Sequence, residues 1–472
     1  MSKLSVLPSS FRDPSGFLFE LDGTLYRQVN QSYLQDYEHL MESGLYQSLV
    51  KEELLIPHVE CDLSLASSDH AARVIRPERL AYISYPYEWS FSELKDAALL
   101  TLRVQLLALK HGMILKDASA YNVQFYRGRP VFIDTLSFER YSDGPWLAYK
   151  QFCQHFFGPL CLCSYTDQRL SQLFRIYIDG PPLDLVSRLL PAKTWFRYSI
   201  LAHIHVHARS QQRFANIAED KESVRIKARS TKVSLAQVTA ITTQLEASIQ
   251  KLRFNANDTE WGDYYENTNY HDAALECKKN LVREYLSFVS PAPVMIQDIG
   301  ANDGTFSRIA AESCANVVSQ DIDHAAVEKN YLRVKKHKEK NILPLLLDLT
   351  NPSPGLGWAN EERCAALTRS KCDVLMALAL IHHIAISNNV PLNKIGYLFS
   401  QLCKYLIIEF VPKQDSQVKR LLTTRDDVFP DYTIEGFELA FCQYFTIERC
   451  TKVDGTERHL YLMKILPGET QS

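Results

Sequence analysis

In the run Met295-Ile296-Gln297-Asp298-Ile299-Gly300-Ala301-Asn302-Asp303-Gly304-Thr305, an apolar stretch ends in a carboxylate and a glycine-studded turn that opens a helix. A tight turn from strand to helix presents free amide N–H groups to a ligand. A side chain at Gly300 or Gly304 would block a ligand from lying against the backbone and would disfavour positive φ. The spacing is G-x-x-x-G and not G-x-G-x-x-G, so the pyrophosphate fingerprint is absent. The turn therefore reads as a cradle for a ligand with ribose and adenine but no pyrophosphate. The pattern taken alone leaves an ordinary strand-to-helix turn as the alternative.

The elements that follow repeat the design of an apolar strand ending in a polar residue. Val317 to Asp323 forms the second strand, and a carboxylate at Asp321, with Asp323 close behind, can accept two hydrogen bonds from a ribose diol. The third strand, Leu343 to Leu347, ends at Asp348, which could accept from an adenine amino group between apolar neighbours; a cap ahead of Asn351-Pro352 is the alternative. Asp373 to Leu380 is the fourth strand and runs into His382 and His383, while Leu406 to Phe410 is the fifth and carries Glu409, a weaker candidate for substrate contact. Tyr444 to Cys450 and His459 to Lys464 flank Asp454-Gly455 as a hairpin would.

On these residues, positions 261 to 466 resemble a class I S-adenosylmethionine-dependent methyltransferase, with Asp298 to Gly304 matching its glycine motif and the terminal hairpin matching its antiparallel strand. The resemblance implies an α/β, Rossmann-like seven-stranded sheet with S-adenosyl-L-methionine as cofactor. Asp298 and Gly300 would neighbour its methionine part, Asp321 its ribose and Asp348 its adenine, and Asn302 and Gly304 would also belong to the cofactor site. Tyr265, within Trp261 to Tyr270, falls in a segment similar to the aromatic lid of such enzymes, where ring faces suit a sulfonium cation. Methyl transfer needs alignment and exclusion of water, with a base only if the acceptor loses a proton. His382 and His383 are the candidate catalytic residues; adjacent residues point in different directions, so at most one of them faces substrate.

A second constellation lies in the N-terminal half: Lys116-Asp117-Ala118-Ser119-Ala120-Tyr121-Asn122, then Phe132-Ile133-Asp134. It resembles the catalytic loop and metal-binding Asp of protein kinase-like and aminoglycoside phosphotransferase-like folds. In that reading Asp117 orients a hydroxyl, and Asn122 and Asp134 hold magnesium against the phosphates of Mg-ATP. No His precedes Asp117 in the expected place, Thr135-Leu136 replaces Phe-Gly, only Ser15-Gly16 remains of a glycine loop, and Arg27 stands where a strand Lys would be. A kinase-like scaffold that binds a nucleotide, substrate or partner is thus expected over an active phosphotransferase.

At 472 residues the chain exceeds one domain. We expect an N-terminal α+β domain of kinase-like architecture over 1–207, a helical connector over 208–260 and the methyltransferase domain over 261–472. Gly16 to Gln28 alternates about Asp22-Gly23 as a hairpin, a helix follows from about Tyr33 to Glu53, and Ser92 to His111 has helical apolar spacing. Val123 to Tyr126 and Val131 to Ile133 read as strands; Val233 to Leu252 carries the stripe of an amphipathic helix whose default is to pack on one of the domains. His203, His205 and His207 would share a face only on a strand, and their surroundings are helical.

A formal charge of −3, from 52 basic and 55 acidic residues, argues for neither nucleic acid nor an anionic membrane surface. Eleven scattered cysteines without a C-x-x-C disfavour a zinc site or a disulfide framework, and no apolar run reaches a membrane span, so a cytoplasmic protein is expected. The acceptor stays open among small molecules, sugar or lipid precursors and proteins. The rival readings are a kinase-like phosphotransferase with a nucleotide-sensing C-terminal half, and a non-catalytic scaffold.

Overall fold

The computed structural model describes residues 4–209, 233–254, 272–423 and 426–468, and its contacts divide the chain into two units, 1–255 with 355–364 and 256–354 with 365–472.

The first unit begins with an antiparallel sheet of β1 (Leu4–Val6), β2 (Gly16–Leu21), β3 (Thr24–Asn30), β4 (His58–Cys61) and β5 (Ala71–Pro77), ordered β1-β2-β3-β5-β4. The hairpin of β2 and β3 turns at Asp22 and Gly23, both at positive φ (49° and 80°), which is what a two-residue turn with the right twist requires. The single helix expected from Tyr33 to Glu53 is two, Leu34–Glu42 and Leu45–Lys51. Gly44 between them sits at φ 77°, and a residue in that conformation ends one helix and redirects the chain into the next.

Helix Phe91–Lys110 starts at a capping box, in which Ser90 and Glu93 satisfy each other's backbone N–H. After it come β6 (Met113–Leu115), β7 (Val123–Tyr126), β8 (Arg129–Phe132) and β9 (Phe138–Arg140), with β6 antiparallel to β9 and β7 antiparallel to β8. Of the expected connector, 233–254 is described: helix Leu235–Lys251 buries Val238, Thr242, Leu245 and Ile249 and packs beside Phe91–Lys110, where Lys95 donates to the carbonyls of Gln250 (3.0 Å) and Leu252 (2.9 Å). His203 and His205 diverge on a helical turn: Tyr149 hydroxyl lies 2.6 Å from His203, and the hydroxyls of Ser187 and Thr194 lie 2.7 and 3.0 Å from His205.

The second unit is built on β10 (Ile296–Ile299), β11 (Val317–Asp321), β12 (Ile342–Leu346), β13 (Cys372–Ala377), β14 (Cys403–Phe410), β15 (Phe445–Lys452) and β16 (His459–Ile465), ordered β12-β11-β10-β13-β14-β16-β15. The first five strands are parallel, and β16 runs antiparallel to both β14 and β15. Parallel strands need crossovers that cover both sheet faces, which is why β10 and β13 bury almost every side chain, the polar Gln297 and Asp298 of β10 included. One core lies under helices Leu392–Leu402 and Ile434–Phe441 and the other under Asp272–Ser287 and Thr305–Ala310. The chain leaves β10 toward β11 on one side and returns to β13 on the other, so a crevice opens at the carboxyl ends of β10 and β13. Among the described residues no helix is long and apolar enough to cross a membrane.

Candidate active site

A cavity of about 430 Å³ occupies this crevice, lined by Asp298, Gly300, Asn302, Asp321, Asp348 and His383 together with apolar side chains. Three carboxylates thus stand on one rim, at the ends of three adjacent parallel strands. Two expected residues are elsewhere. Gly304 is not a lining residue: at φ 76° it starts helix Thr305–Ala310, and a Cβ there would meet Asn330 Oδ1 at 2.5 Å. Asp323 caps the next helix, accepting from the amides of Ala325 (2.7 Å) and Ala326 (3.0 Å). Tyr265 and the rest of the aromatic segment lie outside the described residues.

The amides of the glycine turn are also not directed at a ligand, contrary to the sequence expectation. Gly300 and Ala301 donate to the Gln320 carbonyl (2.8 and 2.9 Å), Asn302 to Asp321 Oδ2 (2.7 Å), Asp303 to the Asn302 side chain (2.9 Å) and Gly304 to the Ala301 carbonyl (2.9 Å). The turn is held by its own hydrogen bonds to the end of β11. It offers a bare backbone surface at Gly300, where φ is 75° and a Cβ would come within 3.1 Å of Leu380.

The charged acceptors that line the cavity are its carboxylates. Asp321 accepts from the amides of Asn302 and Asp323 (2.9 Å), one on each oxygen, and a carboxylate with about four acceptor sites keeps capacity for a diol. Burial pushes its pKa up to about 6, so it is ionised at neutral pH. Asp298 is more extreme: burial takes it up to about 7 against the Ser307 hydroxyl, which donates to it at 2.6 Å. A cationic ligand would complete its ionisation. Asp348 is half-buried and accepts from the amide and hydroxyl of Thr350 (2.9 and 2.6 Å), so it serves its own turn while facing the cavity. Ile322, an exposed apolar side chain, lines the cavity with Leu347 and Leu349, as the faces of a flat ring require.

The two histidines part as the geometry of adjacent residues demands. The strand expected to reach Leu380 ends at Ala377, because Ala379 takes φ 51° and turns the chain into a short helical segment. His383 lines the cavity, whereas His382 is fully buried outside the lining, 4.1 Å ring to ring from its neighbour. Burial, followed by the nearby Arg458 charge, lowers His383 to about 4 and holds it neutral at physiological pH.

Sequence reasoning missed Lys278 on helix Asp272–Ser287. It lines the cavity, is buried with its ammonium 2.6 Å from Glu409 Oε2, and lies 4.7 Å from the centre of the Phe306 ring. Glu409 is itself fully buried and does not line the cavity; Arg458 approaches its other oxygen at 3.5 Å and pairs with Asp415 at 2.8 Å. No sequence spacing connects these four residues.

In the first unit, the loop between β6 and β7 brings Asp117, Asn122 and Asp134 together. Asp117 is pushed above its usual range by burial and then by the Asp134 charge. Asp134 is engaged on both oxygens: Oδ1 takes Arg27 (2.7 Å) and the Leu136 amide (2.9 Å), and Oδ2 takes the Ser137 hydroxyl (2.8 Å), to which Asn122 also donates at 3.0 Å.

Among proteins of known description, nodulation protein NoeA of Rhizobium meliloti (strain 1021) is 35% identical over 460 residues, covering 96% of this chain and 94% of that one. The chain belongs to the NoeA family. No family model matches it. Solved structures it aligns with include the N-methyltransferase NodS from Bradyrhizobium japonicum WM9 in complex with S-adenosyl-L-homocysteine (14% identical, 45% of this chain and 94% of that one, TM-score 0.31). Others are magnesium protoporphyrin IX methyltransferase from Synechocystis PCC 6803 with bound S-adenosylhomocysteine (15%, 44% and 93%, 0.31) and the bifunctional kinase-methyltransferase WbdD (14%, 43% and 42%, 0.29). For this NoeA relative the fold assignment stands on its own strand order: the second unit has the class I methyltransferase fold. The residues at its switch point fit S-adenosylmethionine, with bare backbone at Gly300, an ionised carboxylate for a diol at Asp321 and a buried carboxyl at Asp298 for an ammonium.

Proposed function

We propose that the chain transfers a methyl group from S-adenosylmethionine to an acceptor still to be identified, and that its first unit is a kinase-like domain that binds substrate or partner. The observation that carries the first part is the trio Asp298, Asp321 and Asp348 on one rim of one cavity, around a glycine whose side chain would intrude. When bound, the cofactor would supply a methyl group on a sulfonium, whose carbon an acceptor lone pair would take as the carbon–sulfur bond breaks and the thioether leaves. The chain's own residues hold the donor, exclude water with Leu380, Ile384 and Leu421, and present the neutral imidazole of His383 to an acceptor that must lose a proton. We assign no such role to His382, whose ring lies outside the cavity lining.

The relative is a nodulation protein, which supports the same setting for this chain; the acceptor we propose is a small molecule or a sugar or lipid precursor, with a protein acceptor as the alternative. Calorimetry with S-adenosylmethionine tests the cofactor: binding to the wild type, abolished in Gly300→Arg, is expected, and no binding by the wild type would sink the reading. For the acceptor, an untargeted metabolite comparison should find a product one CH₂ lighter when the protein is deleted or carries Asp298→Asn.

The kinase-like reading is supported by the loop Lys116 to Asn122 framed by the β6–β9 and β7–β8 pairs, with Asp134 directly after β8. Arg27 favours binding over phosphotransfer. Its guanidinium neutralises the carboxylate that would hold magnesium and also approaches Asp13 at 3.5 Å. Mg-ATP titration should give no phosphotransfer in the wild type; turnover of ATP that is lost in Asp134→Ala would instead support the rival, a phosphotransferase.

A further inference from the structure

The formal charge of −3 conceals one stretch of the first unit whose charge is all of one sign. From Arg188 to Arg209 there is no Asp or Glu, whereas Arg188, Lys193, Arg197 and Arg209 are basic. Within it, the turn Ala192–Phe196 and the two residues after it expose Lys193, Phe196, Arg197 and Tyr198. Phe196 is 91% exposed, more than any other large apolar side chain among the described residues, and Tyr198 is 72% exposed. Arg188 and Leu189, at the end of helix Leu183–Leu189 just before the turn, are exposed as well. Apolar side chains exposed singly are ordinary; here two rings gather among cations.

The turn is fixed in this attitude from behind. Thr194 is fully buried, its amide and hydroxyl donating to the Pro191 carbonyl (2.9 and 2.7 Å), and the Arg197 amide donates to the Thr194 carbonyl at 3.0 Å. The Trp195 ring stacks on His205 at 4.1 Å, and the Arg209 guanidinium lies 4.5 Å from its centre. Phe196 and Tyr198 are thus displayed to solvent by an anchored loop. Among the described residues the one carboxylate paired with these four cations is Asp184, 4.0 Å from Arg188.

We propose that this face of the first unit docks on an anionic phospholipid bilayer, with Phe196 and Tyr198 entering the interface and Lys193 and Arg197 lying among the headgroups. The charge selects a negative partner, and the exposure of Phe196 selects a soft one. A ring that projects so far lines no groove, whereas single-stranded nucleic acid is held by stacking platforms along a channel. Trp195, which could offer such a platform, is already covered by His205 and Arg209. A fluid headgroup layer accepts a projecting side chain without a preformed slot, and a tyrosine hydroxyl suits its polar depth. Such docking is peripheral, needs no membrane-spanning helix and stands independently of the methyltransferase reading.

Vesicle flotation of the full chain tests this, with vesicles of phosphatidylcholine alone and of phosphatidylcholine with phosphatidylglycerol. The wild type is expected to float with the second and not the first, and to be released at high salt. Phe196→Ser with Tyr198→Ser should weaken binding by roughly 10- to 100-fold, the range for apolar side chains withdrawn from an interface. Lys193→Gln with Arg197→Gln should weaken it by roughly 30-fold, about fivefold for each cation beside a negative surface. Both pairs should melt with the wild type, since all four side chains are exposed. No flotation of the wild type, or variants that float as it does, would overturn the proposal. A single-stranded oligonucleotide bound by the wild type in place of vesicles, and lost with the cations, would overturn it in favour of nucleic acid. A dimer in sedimentation that Phe196→Ser with Tyr198→Ser dissolves, without vesicle binding, would assign the face to a second copy instead.

Discussion

At the residue scale, the carboxylates of the candidate site are buried beside local donors that only partly offset the cost of burial. Asp321 receives two backbone amides, and replacing it by Asn keeps the shape but removes the charge. Asp321→Asn is expected to weaken S-adenosylhomocysteine by roughly 10- to 100-fold in calorimetry. Asp298, at about 7, is half protonated near neutrality, and only its ionised form attracts an ammonium. Affinity should therefore rise as pH climbs through about 7 and level off above it, and Asp298→Asn should flatten that dependence. His383 carries a stability signature of its own. Its folded pKa, about 4, lies below the unfolded value near 6.5, so between those values the unfolded chain takes up a proton that the folded chain refuses. Its contribution is present above about 6.5 and is lost as pH falls toward 4. Asp298 acts in the opposite sense over roughly the same interval, since its proton is held in the folded state and lost from the unfolded one. A comparison between variants separates the two groups: in denaturant titrations from pH 4 to 7, His383→Gln should lose less stability on acidification than the wild type, by up to about 3 kcal/mol.

At the scale of elements, the glycine turn is a device for joining β10 to helix Thr305–Ala310 at close quarters. Gly304 abuts Asn330 and Arg308, and neither can swing away freely. Arg308 donates to the carbonyls of Asp303 and Gly304 (2.9 Å each) and grips Glu339 with two more bonds (3.0 and 2.8 Å), while Asn330 donates to Ser319 (2.8 Å). Gly304→Val adds a bulky side chain at positive φ against this network and should destabilise the protein by about 1–3 kcal/mol. Thermal unfolding would register the loss, whereas an unchanged melting temperature would mean that the network yields. The hairpin of β15 and β16 acts on the charges instead. It brings Arg458, just before β16, against Glu409 on β14, which no parallel strand could do with so short a connection.

At the scale of the whole molecule, two units with their own cores are joined in one chain, and residues 355–364 group with the first although they fall between β12 and β13 of the second. Glu362 in that segment is buried and held by Arg12 at 2.6 Å, so the excursion is an integral part of the first unit. Ligand linkage offers a check on which unit holds the cofactor. S-adenosylhomocysteine at a hundred times its Kd should stabilise the second unit by about 2.7 kcal/mol, seen as an upward shift of its calorimetric transition that Gly300→Arg abolishes.

Local pattern sufficed to read the parallel strands of the second unit, the Asp22-Gly23 hairpin, the helices near Phe91 and Leu235, and the acidic residues at three strand ends. Each of these rests on periodicity or turn chemistry within a few residues, which the order of amino acids states directly. The same locality misled at Gly44, where a helix stops mid-pattern, and at the glycine turn, whose amides are consumed by Gln320 and Asp321 from the next strand. Which histidine faces the cavity, how Asp134 is neutralised by Arg27, and the buried chain from Lys278 to Asp415 depended on packing between elements distant in sequence. Charges brought together that way leave no spacing to read, because their attraction is set by distance in space and by the water excluded around them.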